Sequence, residues 1–93
     1  MRYTPEASAI IQKRHPTVKA AVGAGISDIA GAPLSGRALQ FELAGFRSFG
    51  AGRYRIIYRI NEDDPCVEIH YVGPRRDVYE GFRDLLWGRR PPR

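Results

Sequence analysis

Two stretches in the second half of the chain sort their residues by parity. Tyr54, Ile56, Tyr58 and Ile60 alternate with Arg53, Arg55, Ile57 and Arg59, and Val67, Ile69 and Tyr71 alternate with Glu68, His70 and Val72. Successive side chains of an extended chain point to opposite faces, so each stretch reads as a strand with one apolar face. Asn61, Glu62, Asp63, Asp64 and Pro65 form an acidic turn between them. An antiparallel register that brings the apolar faces together sets Ile60 opposite Val67, Tyr58 opposite Ile69 and Ile56 opposite Tyr71. It also sets Arg59 opposite Glu68, a cross-strand charge pair worth roughly 0.2 to 1 kcal/mol. Arg53, Arg55 and His70 then share the face that the helices leave uncovered.

The rest of the chain supplies the cover for the apolar face. MRYT reads as one short strand, and Pro5 with Glu6 reads as the first turn of a helix over residues 5–14, with Thr4 as its N-cap. A second helix starts at Thr17, with Val18, Ala21, Val22, Ile26, Ile29 and Ala30 as its apolar stripe. Gly23 and Gly25 mark either close packing or a break in it. GAPLSG, residues 31–36, is a loop. From Arg37 the period shortens: Leu39, Phe41 and Leu43 alternate with Gln40 and Glu42, and two strands follow around a turn at Ala51-Gly52. A last short helix spans Val78 to Trp87, capped by Asp77 and ended by Gly88. The expected fold is α+β: two N-terminal helices on one face of a small antiparallel sheet of three to four strands, with a short C-terminal helix. All 93 residues form a single domain, with residues 89–93 as a disordered basic tail.

Composition narrows the function. The formal net charge is +5, and of fifteen cationic residues only Lys13 and Lys19 are lysines. Arginine's planar fork suits bidentate contacts to phosphate, which points to a polyanion; the competing source is arginine-rich codon usage. No run of apolar residues is long enough to span a membrane, and the N-terminus lacks the apolar core of a signal peptide, so the cytoplasm is the expected compartment. Cys66 is the one cysteine, which excludes an internal disulfide and a cysteine-based metal cage.

LAGFRSFGAGRYRIIYRINEDDPCVEIHYVGPRRDVYE, residues 43–80, resembles the C-terminal half of the RelE/ParE superfamily, the toxins of bacterial type II toxin–antitoxin pairs. The residues that carry the resemblance are Gly52, the strand Tyr54-Arg55-Ile56-Ile57-Tyr58, Val72-Gly73, the pair Arg75-Arg76, and Val78-Tyr79. In its RelE-like branch it implies a metal-independent, cofactor-free endoribonuclease that cuts messenger RNA at the ribosome and inhibits translation. The implied partners are a cognate antitoxin, held in a hetero-oligomer, together with mRNA and ribosomal RNA. Two alternatives share the fold: a ParE-like toxin that binds DNA gyrase, and an inactive member that binds only its antitoxin.

In the ribonuclease chemistry a ribose 2′-hydroxyl attacks the adjacent phosphate, so the site needs a base, cations for the phosphate and an acid for the leaving oxygen. By position, the resemblance assigns Arg55 and Arg75 to the phosphate, and Tyr79 to base stacking or proton transfer. Arg47, Arg53, Arg59 and Arg76 are the candidate RNA-binding residues, the face of Arg47 depending on the register of the hairpin. Ribonuclease members often carry two lysines where this chain has Phe46 and Ser48, and others an arginine where it has Gly50. Arginine is not a base at neutral pH, so either the base is Tyr79, His70 or Glu68, of which His70 alone has an ordinary pKa near neutrality, or the chain is a weaker ribonuclease than its relatives.

Overall fold

The computed structural model describes residues 1–88. Five strands, β1 (Arg2–Tyr3), β2 (Arg37–Ala38), β3 (Arg47–Ala51), β4 (Tyr54–Asn61) and β5 (Cys66–Pro74), form one sheet in the order β1-β5-β4-β3-β2. β1 runs parallel to β5 and the other pairs are antiparallel. The sheet is thus mixed and has one strand more than the sequence implies. The two strands at its edges are two residues each, too short to carry a readable alternation.

Helices α1 (Pro5–Gln12) and α2 (Pro16–Gly31) lie on one face. The Thr4 hydroxyl accepts from the Ala7 amide at 3.1 Å and caps α1, which ends two residues before the expected limit. His15 caps α2 through Nδ1, which accepts from the Thr17 amide at 3.1 Å. Neither glycine breaks α2. A Cβ on Gly25 would stand 2.9 Å from Ile56 Cδ1 and 3.1 Å from Ala51 Cβ, so this glycine is where the helix presses on the sheet. The core between them consists of Ala7, Val22, Ile29, Ala51, Ile56, Tyr58, Val67, Ile69 and Val72.

The β4–β5 register matches expectation from Asn61 to Tyr58 and then departs from it. Ile60 faces Val67, Arg59 faces Glu68 and Tyr58 faces Ile69, but Ile57 faces Tyr71 and Ile56 faces Val72. His70 is the extra residue of a β-bulge, which two residues on one strand make against one on the other. Its carbonyl turns outward and accepts from the Thr4 hydroxyl at 3.4 Å. The bulge reverses the parity beyond it, so Val72 replaces Tyr71 in the helix-side core and Tyr71 moves to the other face.

That other face is not uncovered. Helix α3 (Val78–Trp87) crosses it, with the boundaries its sequence implies, and builds a second core of Leu43, Ile57, Val78 and Phe82 flanked by Leu39, Phe46, Tyr71 and Tyr79. Asp77 precedes α3 without a side-chain cap bond. The strand expected over Leu39, Phe41 and Leu43 is absent. Residues 41–43 form a 3-10 turn, Phe41 takes φ 57° and Gly45 φ 97°, and Leu39 and Leu43 both drop onto the second core. The β3–β4 hairpin closes one residue later than expected, on Gly52 and Arg53, with Ala51 facing Tyr54. Gly52 has φ 65°, as the first central position of a type II′ turn requires. Arg53 is therefore a turn residue, not a strand residue. Residues 89–93, expected as a basic tail, lie outside the described residues.

Candidate functional site

Small residues on β3 make the site. Ser48 and Gly50 point to the α3 side of the sheet, opposite Ile57 and Arg55 of β4. With no side chain at Gly50, the Arg55 guanidinium lies over it; a Cβ there would stand 3.3 Å from a terminal nitrogen of that group. Arg55 folds along the strand to Ser48, and its Nε donates to Ser48 Oγ at 2.7 Å. The Tyr79 hydroxyl, from the first turn of α3, is 3.1 Å from the same Ser48 oxygen. Arg37 of β2 faces Ser48 across the strand pair, which sets its side chain on the same side of the sheet as the Ser48 and Tyr79 hydroxyls.

This environment pulls the Tyr79 phenol two ways. Burial pushes its pKa up, but the Ser48 hydrogen bond and the guanidinium groups of Arg37 and Arg55 outweigh burial and bring it below the ordinary 10.0. Tyr71, on the same face, moves oppositely: burial and the nearby Asp77 carboxylate hold its phenol above 10.0. Of these two tyrosines, Tyr79 is the one equipped to ionise. Ser48 is only 1% exposed, so its hydroxyl works through these two partners and not through water.

Apart from Arg47, the sequence candidates divide among three places. Arg55 and Tyr79 meet at Ser48. Arg53, Arg75 and Arg76 are exposed around the hairpin end of the sheet, where the Arg75 amide donates to the Arg53 carbonyl at 2.9 Å. His70 and Arg59 lie at the other end of the α3 face, around Glu68. Arg59 donates to Glu68 Oε1 at 2.9 Å, Asn61 Nδ2 donates to Oε2 at 2.9 Å, and His70 Nε2 is 3.2 Å from Oε1. Hydrogen bonds from Asn61, His70 and Arg59 hold the Glu68 carboxyl at about 2. The His70 ring packs edge-on to Phe46, with centroids 5.1 Å apart, and near Phe82 at 6.4 Å. His70 is thus tied to a carboxylate at a separate place from the Tyr79 group.

Arg47 is on the helix side, opposite Tyr58, not with Arg55. One terminal nitrogen donates to the carbonyls of Leu34 at 3.0 Å and Gly36 at 2.7 Å, so its charge secures the loop before β2. Arg37 and Ser48 were missing from the sequence candidates. Parity on β3 would have placed Ser48 beside Arg55; nothing in a two-residue strand marks Arg37.

A helix pair on one face of a five-stranded sheet, a helix across the other, and an arginine–hydroxyl cluster beside the central hairpin define a small, basic toxin-like domain. The family model described as ParE toxin of type II toxin-antitoxin system, parDE, matches residues 1–79. The chain is 37% identical over 81 residues to Toxin RelG of Mycobacterium tuberculosis, covering 85% of this chain and 93% of that one. Its structure is similar to that in the toxin-antitoxin complex RelBE2 from Mycobacterium tuberculosis, with TM-score 0.72, 37% identity, and coverage of 80% of this chain and 94% of that one. The fold alone is shared with a YoeB/ParE toxin from Agrobacterium tumefaciens, at TM-score 0.69, 16% identity, and coverage of 80% of this chain and 95% of that one. The chain belongs to the ParE toxin family within the RelE/ParE superfamily, and is a toxin of a type II toxin–antitoxin system. Among the described residues no helix is long and apolar enough to cross a membrane.

Proposed function

We propose that this toxin is a metal-independent endoribonuclease that cuts messenger RNA at the ribosome, in the bacterial cytoplasm, until its antitoxin captures it. The observation that carries the reading is the hydrogen-bonded chain from Arg55 through Ser48 to Tyr79, with Arg37 paired to Ser48 on the neighbouring strand. When Tyr79 is ionised, Ser48 accepts from Arg55 and donates to the phenolate, so the base form is stabilised without a buried unpaired charge. The phenolate takes the proton of a ribose 2′-hydroxyl, the 2′ oxygen bonds to phosphorus, and the bond to the 5′ oxygen breaks with a proton supplied by solvent. A 2′,3′-cyclic phosphate and a free 5′-hydroxyl result. Arg55 faces the charge that grows on the phosphate, and Arg75 and Arg76 hold the strand on either side. In this scheme His70 is a packing residue.

The partner follows from the same charge. An acidic antitoxin segment would meet the net +5 of this chain with electrostatic steering. The M. tuberculosis RelBE2 structure is itself a toxin–antitoxin complex, which supports an antitoxin as the cognate partner.

A second reading has its own support. The matching family model is the ParE toxin, and Ser48 stands where ribonuclease members often carry lysine. In that reading the same arginines bind DNA gyrase and no proton moves. Inducing the chain in a bacterial host and mapping message ends by primer extension separates the two. Cuts within translated codons are expected. Intact messages with arrested replication would replace the ribonuclease with the gyrase binder.

A further inference from the structure

Arg37 lies outside the strand motif and on a two-residue edge strand, yet the chain spends buried hydrogen bonds on the loop that delivers it. The Tyr58 hydroxyl, fully buried, donates to the Pro33 carbonyl at 2.5 Å and accepts from the Gly36 amide at 3.0 Å. Arg47 donates to the carbonyls of Leu34 and Gly36. A Cβ on Gly36 would come within 2.5 Å of the Tyr58 oxygen, so the loop is seated against that ring with no room to spare. The next residue is Arg37, whose backbone pairs with Ser48, the residue whose hydroxyl is 3.1 Å from that of Tyr79.

Each of these contacts is made on the helix side of the sheet, whereas their product appears on the α3 side. Edge strands of two residues fray readily, because they share few ladder bonds. An anchor through Tyr58 and Arg47 removes that freedom. Two guanidinium groups, Arg37 and Arg55, then bear on Tyr79 from different strands.

We propose that Arg37 is a positioning residue of this site, which the Tyr58–Arg47 latch holds against Tyr79 so that the phenol serves as proton acceptor towards a ribose 2′-hydroxyl. The proposal rests on the ribonuclease reading for the acceptor role, and for the coupling on the pairing of Arg37 with Ser48, whose hydroxyl is 3.1 Å from that of Tyr79. Arg37 acts through its charge, so its removal should shift the ionisation of Tyr79 more than it perturbs folding. Arg37 is exposed, and Arg37→Ala leaves both cores intact.

The test is the ionisation of Tyr79 in the full chain, followed by NMR of 13C-labelled tyrosine rings and assigned with Tyr79→Phe. In Arg37→Ala the Tyr79 midpoint should move up towards that of an ordinary phenol, and in Arg37→Lys, which keeps the charge, by less. Tyr58→Phe, which keeps the ring and loses both loop bonds, should move it in the same direction. The rising limb of RNA cleavage against pH should shift with the midpoint in each variant. An unchanged midpoint in Arg37→Ala overturns the proposal, whatever the chain does to RNA, and an unchanged midpoint in Tyr58→Phe overturns the latch. Shifted midpoints in a parent that cleaves no RNA support the coupling and overturn the ribonuclease reading, so the two failures are distinguishable.

Discussion

The hydroxyl groups of Ser48 and Tyr79 stand 3.1 Å apart, and the same Ser48 oxygen receives Nε–H of Arg55 at 2.7 Å. Ser48 is the joint through which an arginine on the central hairpin acts on a tyrosine of the C-terminal helix. In the proposed ribonuclease this joint would stand in for the lysines, with the arginines supplying charge and the phenol the acceptor.

Ser48→Ala should therefore raise the Tyr79 ionisation towards the ordinary phenol value and displace the rise of cleavage with pH in the same direction. The sign follows from the depressed pKa: the base form is present at lower pH in the parent than in the variant. One hydrogen bond to a charged group is worth about 1.5 kcal/mol, so cleavage at neutral pH should fall on the order of 10-fold. Tyr79→Phe, which removes the acceptor, should cost about 100-fold or more. A pH–rate profile of the three proteins checks both, and equal profiles for Ser48→Ala and the parent would refute the relay.

Glu68 makes a different prediction, about stability. Its pKa is about 2 in the folded protein against 4.5 for an unperturbed carboxyl, through its bonds to Asn61, His70 and Arg59. Between those values the unfolded chain holds more protons than the folded one, so stability rises with pH there. The contribution is whole above pH 4.5 and lost as the pH falls through about 2. Glu68→Gln should flatten this part of the stability curve, measured as urea midpoints at a series of pH values. A parent-like slope in the variant would mean that other carboxyls carry the acid sensitivity.

How far the fold was legible follows from such particulars. Alternation located β4 and β5 and paired Ile60 with Val67 correctly, because one face of both strands is buried and a slip would expose it. The bulge at His70 escaped, because parity assumes a uniform pleat; the adjacent apolar residues Tyr71 and Val72 were its only trace. The covered second face escaped for a related reason. Leu39 and Leu43 were assigned to a strand, whereas a turn serves the same two residues by placing both over Ile57. The resemblance named Arg55 and Tyr79, which the structure brings together at Ser48, while the placements of Arg37 and Arg47 depend on pairings that span the sheet. His70 is named by the same chemistry of a base, but the structure sets it against Glu68 and Phe46, away from the Ser48 joint.

Phe41 is a place where the backbone is strained to no packing advantage. It has φ 57°, in the left-handed region, and its side chain is 85% exposed. That conformation costs an L-residue roughly 1 to 2 kcal/mol and glycine little. Phe41→Gly should raise unfolding stability by about 1 kcal/mol in a denaturant titration, and a loss of stability would show that the exposed ring contributes contacts that outweigh the strain.

The two glycines of α2 give opposite predictions from identical chemistry. A Cβ on Gly23 would meet nothing within 4 Å, whereas one on Gly25 would meet Ile56 Cδ1 at 2.9 Å and Ala51 Cβ at 3.1 Å. Alanine is favoured over glycine in a helix interior by about 1 kcal/mol. Gly23→Ala should therefore stabilise the protein by about that amount. At Gly25 the same gain is opposed by the contact with Ile56, which is fully buried and cannot swing aside, so the helix must lift from the sheet. Overpacking of this kind costs typically 1 to 3 kcal/mol, and the net effect should be destabilising. Because α2 packs on β3 and β4, the strands that carry Ser48 and Arg55, Gly25→Ala should also lower cleavage, while Gly23→Ala leaves it at the parent rate. Thermal melts and activity assays on the two variants check the contrast, and a stable, fully active Gly25→Ala would show that the helix and sheet have slack at their closest approach.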